Sequence, residues 1–274
     1  MWGRCCVVAL AVAVPGLARA AGPEVLYLNF SDGTEEVTQA DSDDAAHNRS
    51  IMGTVKPYPA FTWPDADDAA RQALIKGLTE QLEEAFAPYD VVVTTTRPES
   101  GAYNMVMVGG DPSLFQMDAR VAGVAFMDCE NRQRANVVFA FPAPLGGSIH
   151  GLFSTIAQEA GHALGLQHSS DPNDLMYPRV DVAQRSFQDR ESVVASPRYC
   201  DGQTQNSHRR LLELVGAWTG GLKPTEVAPA ALAPPAMGCA MARARRGSEG
   251  LPGALAAFLA VFALRACGRR RGRL

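Results

Sequence analysis

The stretch "QEAGHALGLQH", Gln158 to His168, decides how the rest of this 274-residue chain is read. An α-helix turns once in about 3.6 residues, so Gln158 and His162 project from one face, one turn apart, at a spacing suited to gripping a single ion. Glu159 lies beside them, where its carboxylate can take a proton from water polarised by that ion. Gly165 lets the backbone turn sharply, and His168 then returns from outside the helix as a further ligand. Upstream, "SIHGLFSTIAQEAGHALG" keeps helical spacing, with Ile149, Leu152, Phe153, Ile156 and Ala160 on its apolar side.

Working outward, "EVLYLNF" from Glu24 alternates apolar and polar residues and reads as a strand. The segment "SDGTEEVTQADSDDAAHNRS" is acidic and unpatterned. It lacks the spacing and glycine of an EF-hand calcium loop and is expected to be a solvated loop. "DADDAARQALIKGLTEQLEEAF" places Ala70, Leu74, Leu78, Leu82 and Phe86 on one helical face, with acids at its start and Pro88 closing it. Four strand candidates follow: "VVVTTT" from Val91, "YNMVMV" from Tyr103, "VAGVAFM" from Val121 and "NVVFAF" from Asn136. After the motif helix, "SHRRLLELVGAW" reads as a last helix. Strand, helix, four strands and two helices make one α+β domain whose motif lies on the helix that follows the sheet.

A short distance past His168 stands "DLMYP", Asp174 to Pro178. Together, "QEAGHALGLQH…DLMYP" and the preceding element order resemble the metzincin metallopeptidases, of the matrixin type, by architecture over roughly Glu24 to Trp218 and by motif over Gln158 to Pro178. The resemblance implies a single domain with a mixed, mostly parallel sheet of about five strands, three helices, an active-site helix and a Met-turn. It also implies one catalytic zinc, peptide or protein substrates, Glu159 as general base, His162 and His168 as ligands, Met176 beneath the metal, and Tyr177 walling a substrate side-chain pocket.

Two departures stand out. No propeptide with a metal-binding cysteine is read ahead of the domain, so latency by a thiolate is not expected. The first ligand position holds Gln158 instead of histidine, and a neutral amide oxygen is a poorer donor to zinc than imidazole. The third ligand is then Gln158 itself or a loop carboxylate, Asp171 or Asp174, and another, oxygen-tolerant divalent metal is the alternative to zinc. His150 sits eight residues before Gln158, about 12 Å along the helix, too far to substitute. His47 and His208 have no partner spacing. The function readings are therefore a zinc-dependent endopeptidase, an inactive metzincin-like module that binds peptides along an edge strand, or a structural surface protein.

The ends bound the domain. "MWGRCCVVALAVAVPGLARA" has Arg4, an apolar run and Ala18-Arg19-Ala20, the pattern of a signal peptide (residues 1–20) cleaved after Ala20. A buried N-terminal helix or a membrane anchor is the alternative. Residues 21–220 form the domain, residues 221–250 an Ala- and Pro-rich linker, and residues 251–274 an apolar run closed by arginines. Gly238-Cys239, the short apolar run and the terminal arginines resemble the myxobacterial C-terminal sorting signal (MYXO-CTERM). That resemblance implies processing near Cys239 by sorting machinery and display at the cell surface; a plain membrane anchor is the alternative.

Composition narrows the partners. Arg4 and Arg19 lie in the signal, and nine basic residues against two acids lie after Gly220, which leaves 14 basic and 27 acidic residues in the domain, a net charge of −13. Such a surface repels nucleic acid and anionic lipid, and a monomer is expected. Cys129 and Cys200 are the two cysteines left in the domain. In an oxidising compartment they form one disulfide or stay as two buried thiols.

Overall fold

The computed structural model describes residues 22–180, 185–219 and 238–242. The signal segment with Ala20 and the tail 251–274 lie outside the described residues. Within them no helix is long and apolar enough to cross a membrane.

Six strands form the main sheet: β1 (Glu24–Phe30), β2 (Val91–Thr94), β3 (Asn104–Val108), β4 (Val121–Phe126), β5 (Val137–Ala140) and β6 (Gly238–Ala242). Their order is β6-β4-β5-β3-β1-β2. Every pairing is parallel except β4 with β5. Among the described residues three α-helices join the sheet: α1 (Asp68–Phe86), α2 (Ile149–Ala163) and α3 (Ser207–Val215). The domain itself thus supplies the five mixed strands and three helices expected of an α+β fold. The sixth strand comes from the segment read as linker.

β3 is buried at every position, as a central strand covered on both faces must be. Alternation sends Leu26, Leu28, Val106 and Val108 into the core shared with the helices. Tyr27, Met105, Met107 and Phe139 point into a second core on the opposite face.

That second core corrects the reading of the acidic segment as a solvated loop. Val37 and Ala45 are fully buried in it, Thr38–Gln39 pairs with Arg49–Ser50, and the buried Asp43 accepts from the backbone N–H groups of Ile51 and Val137 at 2.8 and 3.0 Å. Two apolar anchors and one carboxylate that caps sheet amides order the segment, a long-range arrangement that leaves no periodicity to read.

α1 starts at Asp68, just ahead of the first apolar position read for it, Ala70. Asp67 caps it by accepting from Ala70 N–H at 2.8 Å, and only Leu78, Leu82 and Phe86 are buried. α2 differs more. Its side chains are buried from Gly151 to Ala163, whereas Ile149, assigned to the apolar side, is exposed. Ser148 caps its start by accepting from Gly151 N–H at 3.0 Å. Its far end is tied to the sheet by Asn136, which donates to the Ala163 carbonyl and to Asn104 Oδ1. The motif is therefore carried on a helix fixed at both ends.

Candidate metal and active site

Gln158, Glu159 and His162 lie on α2 with no exposed surface, and His168 is 5 % exposed. The helix stops because Gly165 adopts φ +101°, a region that residues with a side chain rarely enter. Space imposes the same choice: a Cβ there would stand 2.7 Å from Leu214 Cδ1 and 3.1 Å from the Asp128 carbonyl oxygen. The turn places the Leu166 carbonyl 2.7 Å from His162 Nδ1. A carbonyl only accepts, so Nδ1 carries the proton and the Nε2 lone pair is left for a ligand.

That Nε2 lies 3.2 Å from His168 Nε2, with the rings near perpendicular. Burial pushes both imidazoles toward the neutral form. His168 falls to about 4, and His162 falls well below the ordinary range because burial and then the neighbouring His168 disfavour its cation. Neutral imidazole is the form that ligates metal.

The loop bearing His168 is clamped from several sides. Gln167 and Gln205 exchange hydrogen bonds, Gln205 Oε1 accepting from Gln167 N–H at 2.8 Å and Gln205 Nε2 donating to the Gln167 carbonyl at 2.9 Å. Gln167 Oε1 also accepts from the N–H groups of Tyr199 and Cys200. Cys200 is joined to Cys129 by a disulfide that spans 71 residues and is worth on the order of 4 kcal/mol in the chain-entropy view. One side of that link borders Gly165 through the Cys129 carbonyl and the other holds Gln167. The sequence offered the cysteines; the glutamine clamp has no periodic or motif signal.

Gln158 Nε2 donates to the Tyr177 carbonyl at 2.6 Å. Because that partner cannot donate, the amide orientation is fixed by chemistry. Its other end, Oε1, is buried with no hydrogen-bond partner among the described residues, which leaves lone pairs available inside the site.

The loop carboxylates are engaged in the loop itself, Asp174 through Oδ1 while its Oδ2 is buried without a hydrogen-bond partner among the described residues. Asp171 accepts from Arg190 and from Asn173, and Asp174 Oδ1 accepts from Met176 N–H at 2.9 Å. Among the described residues no three His, Cys, Asp or Glu side chains gather as a metal-holding group. His150 packs against Phe153, the exposed His47 meets Asp44, and His208 Nδ1 lies 2.8 Å from Tyr89 Oη.

Met176 is fully buried, and its Sδ stands 2.6 Å from where a Cβ on Gly161 would be. Gly161 lets the methionine turn press directly against the motif helix. Asp174 holds that turn, and the Met176 carbonyl accepts from Ser169 N–H at 2.9 Å. Arg185 lies over the Tyr177 ring, 5.1 Å from its centroid. Glu159 reaches the other way, toward the sheet. A Cβ on Gly123 of β4 would lie 2.5 Å from Glu159 Oε1 and 2.7 Å from Thr155 Cγ2. Gly123 and Gly161 were not singled out in the sequence; the one signal is that each is a small residue beside a large partner, visible only once the elements are packed.

No curated protein matches the chain. Residues 103–194, from β3 through the methionine turn, match the family model described as matrixin, and the chain accordingly carries a matrixin-like, metallopeptidase-like domain.

Proposed function

We propose that this chain is an exported endopeptidase that hydrolyses peptide bonds with one divalent metal, zinc by analogy with the matrixins, held by His162 Nε2, His168 Nε2 and Gln158 Oε1. The observation that carries the reading is the 3.2 Å approach of the two Nε2 atoms. Two nitrogens at about 2.05 Å from a tetrahedral ion stand roughly 3.3 Å apart, so the residues present fit such a group. The unsatisfied Gln158 Oε1 supports an oxygen donor as the third member of the set. Two imidazoles and one oxygen ligand form a known catalytic set, and the neutral amide costs charge and affinity more than geometry.

When bound, the ion supplies Lewis-acid polarisation. The chain's own groups do the rest. Leu166 keeps His162 in one tautomer, and Gly165 and the glutamine clamp hold His168 against it. The Glu159 carboxylate takes a proton from the attacking water and delivers it to the leaving amine nitrogen as the C–N bond breaks. Tyr177, at the end of the methionine turn, borders the substrate side chain. Export with cleavage after Ala20, processing at Cys239 by sorting machinery, surface display and a monomeric state complete the proposal.

A second reading is favoured by one contact. Gln158 Nε2 is committed to the Tyr177 carbonyl, so the glutamine also serves the turn, as it would in an inactive peptide-binding module. Metal content and hydrolysis of a mixed peptide library separate the two. Glu159→Ala is expected to lower turnover by on the order of 10³-fold while retaining metal. Gln158→His is expected to raise metal affinity by about 10-fold or more, and activity with it. If the parent and Glu159→Ala are equally inert and Gln158→His gains nothing, the binding module replaces the peptidase.

A further inference from the structure

The two edges of an open sheet each offer a row of unpaired N–H and C=O groups, and an extended peptide adds to such an edge as a further strand. Here the edges are not equivalent. β2 is remote from the motif, separated from β4 by β1, β3 and β5. β4 carries Gly123, whose missing side chain leaves room for the Glu159 carboxylate. A peptide within reach of Glu159 would therefore pair with β4.

That place is taken. β6 pairs with β4 in parallel, Cys239 opposite Gly123, Ala240 opposite Val124, Met241 opposite Ala125 and Ala242 opposite Phe126, with an irregularity between Gly238 and Cys239. β6 also contacts α2. Strands in a sheet lie about 4.8 Å apart, so the Cys239 backbone sits one strand spacing from the residue against which Glu159 packs.

We propose that residues 238–242 are an autoinhibitory strand that occupies the peptide-binding edge of β4, so that access to the site requires its release. The inhibitory role rests on the peptidase reading; the occupancy of the edge does not. The 18 residues between Thr219 and Gly238 reach about 60 Å when extended, enough to bring the strand back to the sheet. Tethering at that length holds the segment near the edge at an effective concentration approaching mM, against which a free peptide competes poorly. The processing position at Cys239 falls inside this strand, so cleavage there and intact pairing exclude each other.

The test compares the full chain with Ala240→Pro/Met241→Pro. Successive prolines remove a ladder donor whichever of the two faces β4. Amide exchange over residues 121–126 is expected to rise at least ~10-fold in the variant. A labelled peptide of residues 237–243, carrying Cys239→Ser, should bind the variant and not the parent. Hydrolysis of the peptide library should rise at least ~10-fold, because the tether no longer competes. Equal exchange in parent and variant, or equal peptide binding, overturns the occupancy. Faster exchange with unchanged hydrolysis, in a protein whose activity Glu159→Ala removes, overturns the inhibitory role. If exchange and binding change as expected while parent, variant and Glu159→Ala are all inert, the edge occupancy stands and the peptidase reading falls.

Discussion

α1 and α2 pack on the same face of the same sheet, yet they handle polar residues in opposite ways. α1 buries three side chains and turns its charges to water, where Lys76 pairs with Glu80 and Arg71 with Asp68. α2 hides a glutamine, a glutamate and a histidine completely. A polar group in water is nearly neutral to stability, whereas the same group in the interior costs several kcal/mol unless it is partnered. The lesson is that α2 and the turn after it form one unit: a buried polar helix persists only because the Leu166 and Tyr177 carbonyls return to meet it.

The contrast is broken most severely at Gly165. Gly165→Ala puts a Cβ against Leu214 and the Asp128 carbonyl at a positive φ, and is expected to cost about 3 kcal/mol and to displace His168. Denaturant unfolding should show the loss, with reduced metal affinity alongside it. An alanine variant as stable as the parent would mean that the turn is not the hinge of the unit.

An effect of similar size, but one that appears only as pH rises, belongs to Asp174, whose burial raises its carboxyl to about 6. With the folded value above the unfolded one, the group's favourable contribution is full below about pH 4 and is lost as pH rises through about 6. The loss approaches about 3 kcal/mol near neutrality. Asp174→Asn keeps an acceptor for Met176 N–H and should flatten the melting temperature across that window, with gain at pH 8 and none at pH 4. Parallel pH profiles in the two proteins would contradict it.

The smallest effect is expected on α1. Lys76→Ala removes an exposed pair and should change stability by less than about 0.5 kcal/mol, a difference that fades further in salt. A larger loss would show that α1's surface is not the solvated face described here.

Some of this was legible in the residues. The period of Leu78, Leu82 and Phe86 gave α1, and short apolar runs located β1 to β5, because local chemistry and pattern agree there. The chemistry-bearing set, Gln158, Glu159, His162 and His168, followed from helical spacing and a glycine. The acidic segment reads as a solvated loop, and is not one, because Val37, Ala45 and Asp43 are held by distant partners rather than by a repeat. β6 went unread for the same reason, since a segment placed by pairing with a strand more than a hundred residues away carries no signal of its own.

The kind of chemistry available is written in the residues, since their types and their spacing on one helix need no distant partner to be recognised. The state of those groups is set by packing: which imidazole nitrogen holds the proton, which end of the Gln158 amide is left over, and what lies along β4. Those outcomes depend on carbonyls, glycines and strand edges brought together from opposite ends of the chain, and backbone groups look alike in a sequence until folding gives each one a neighbour.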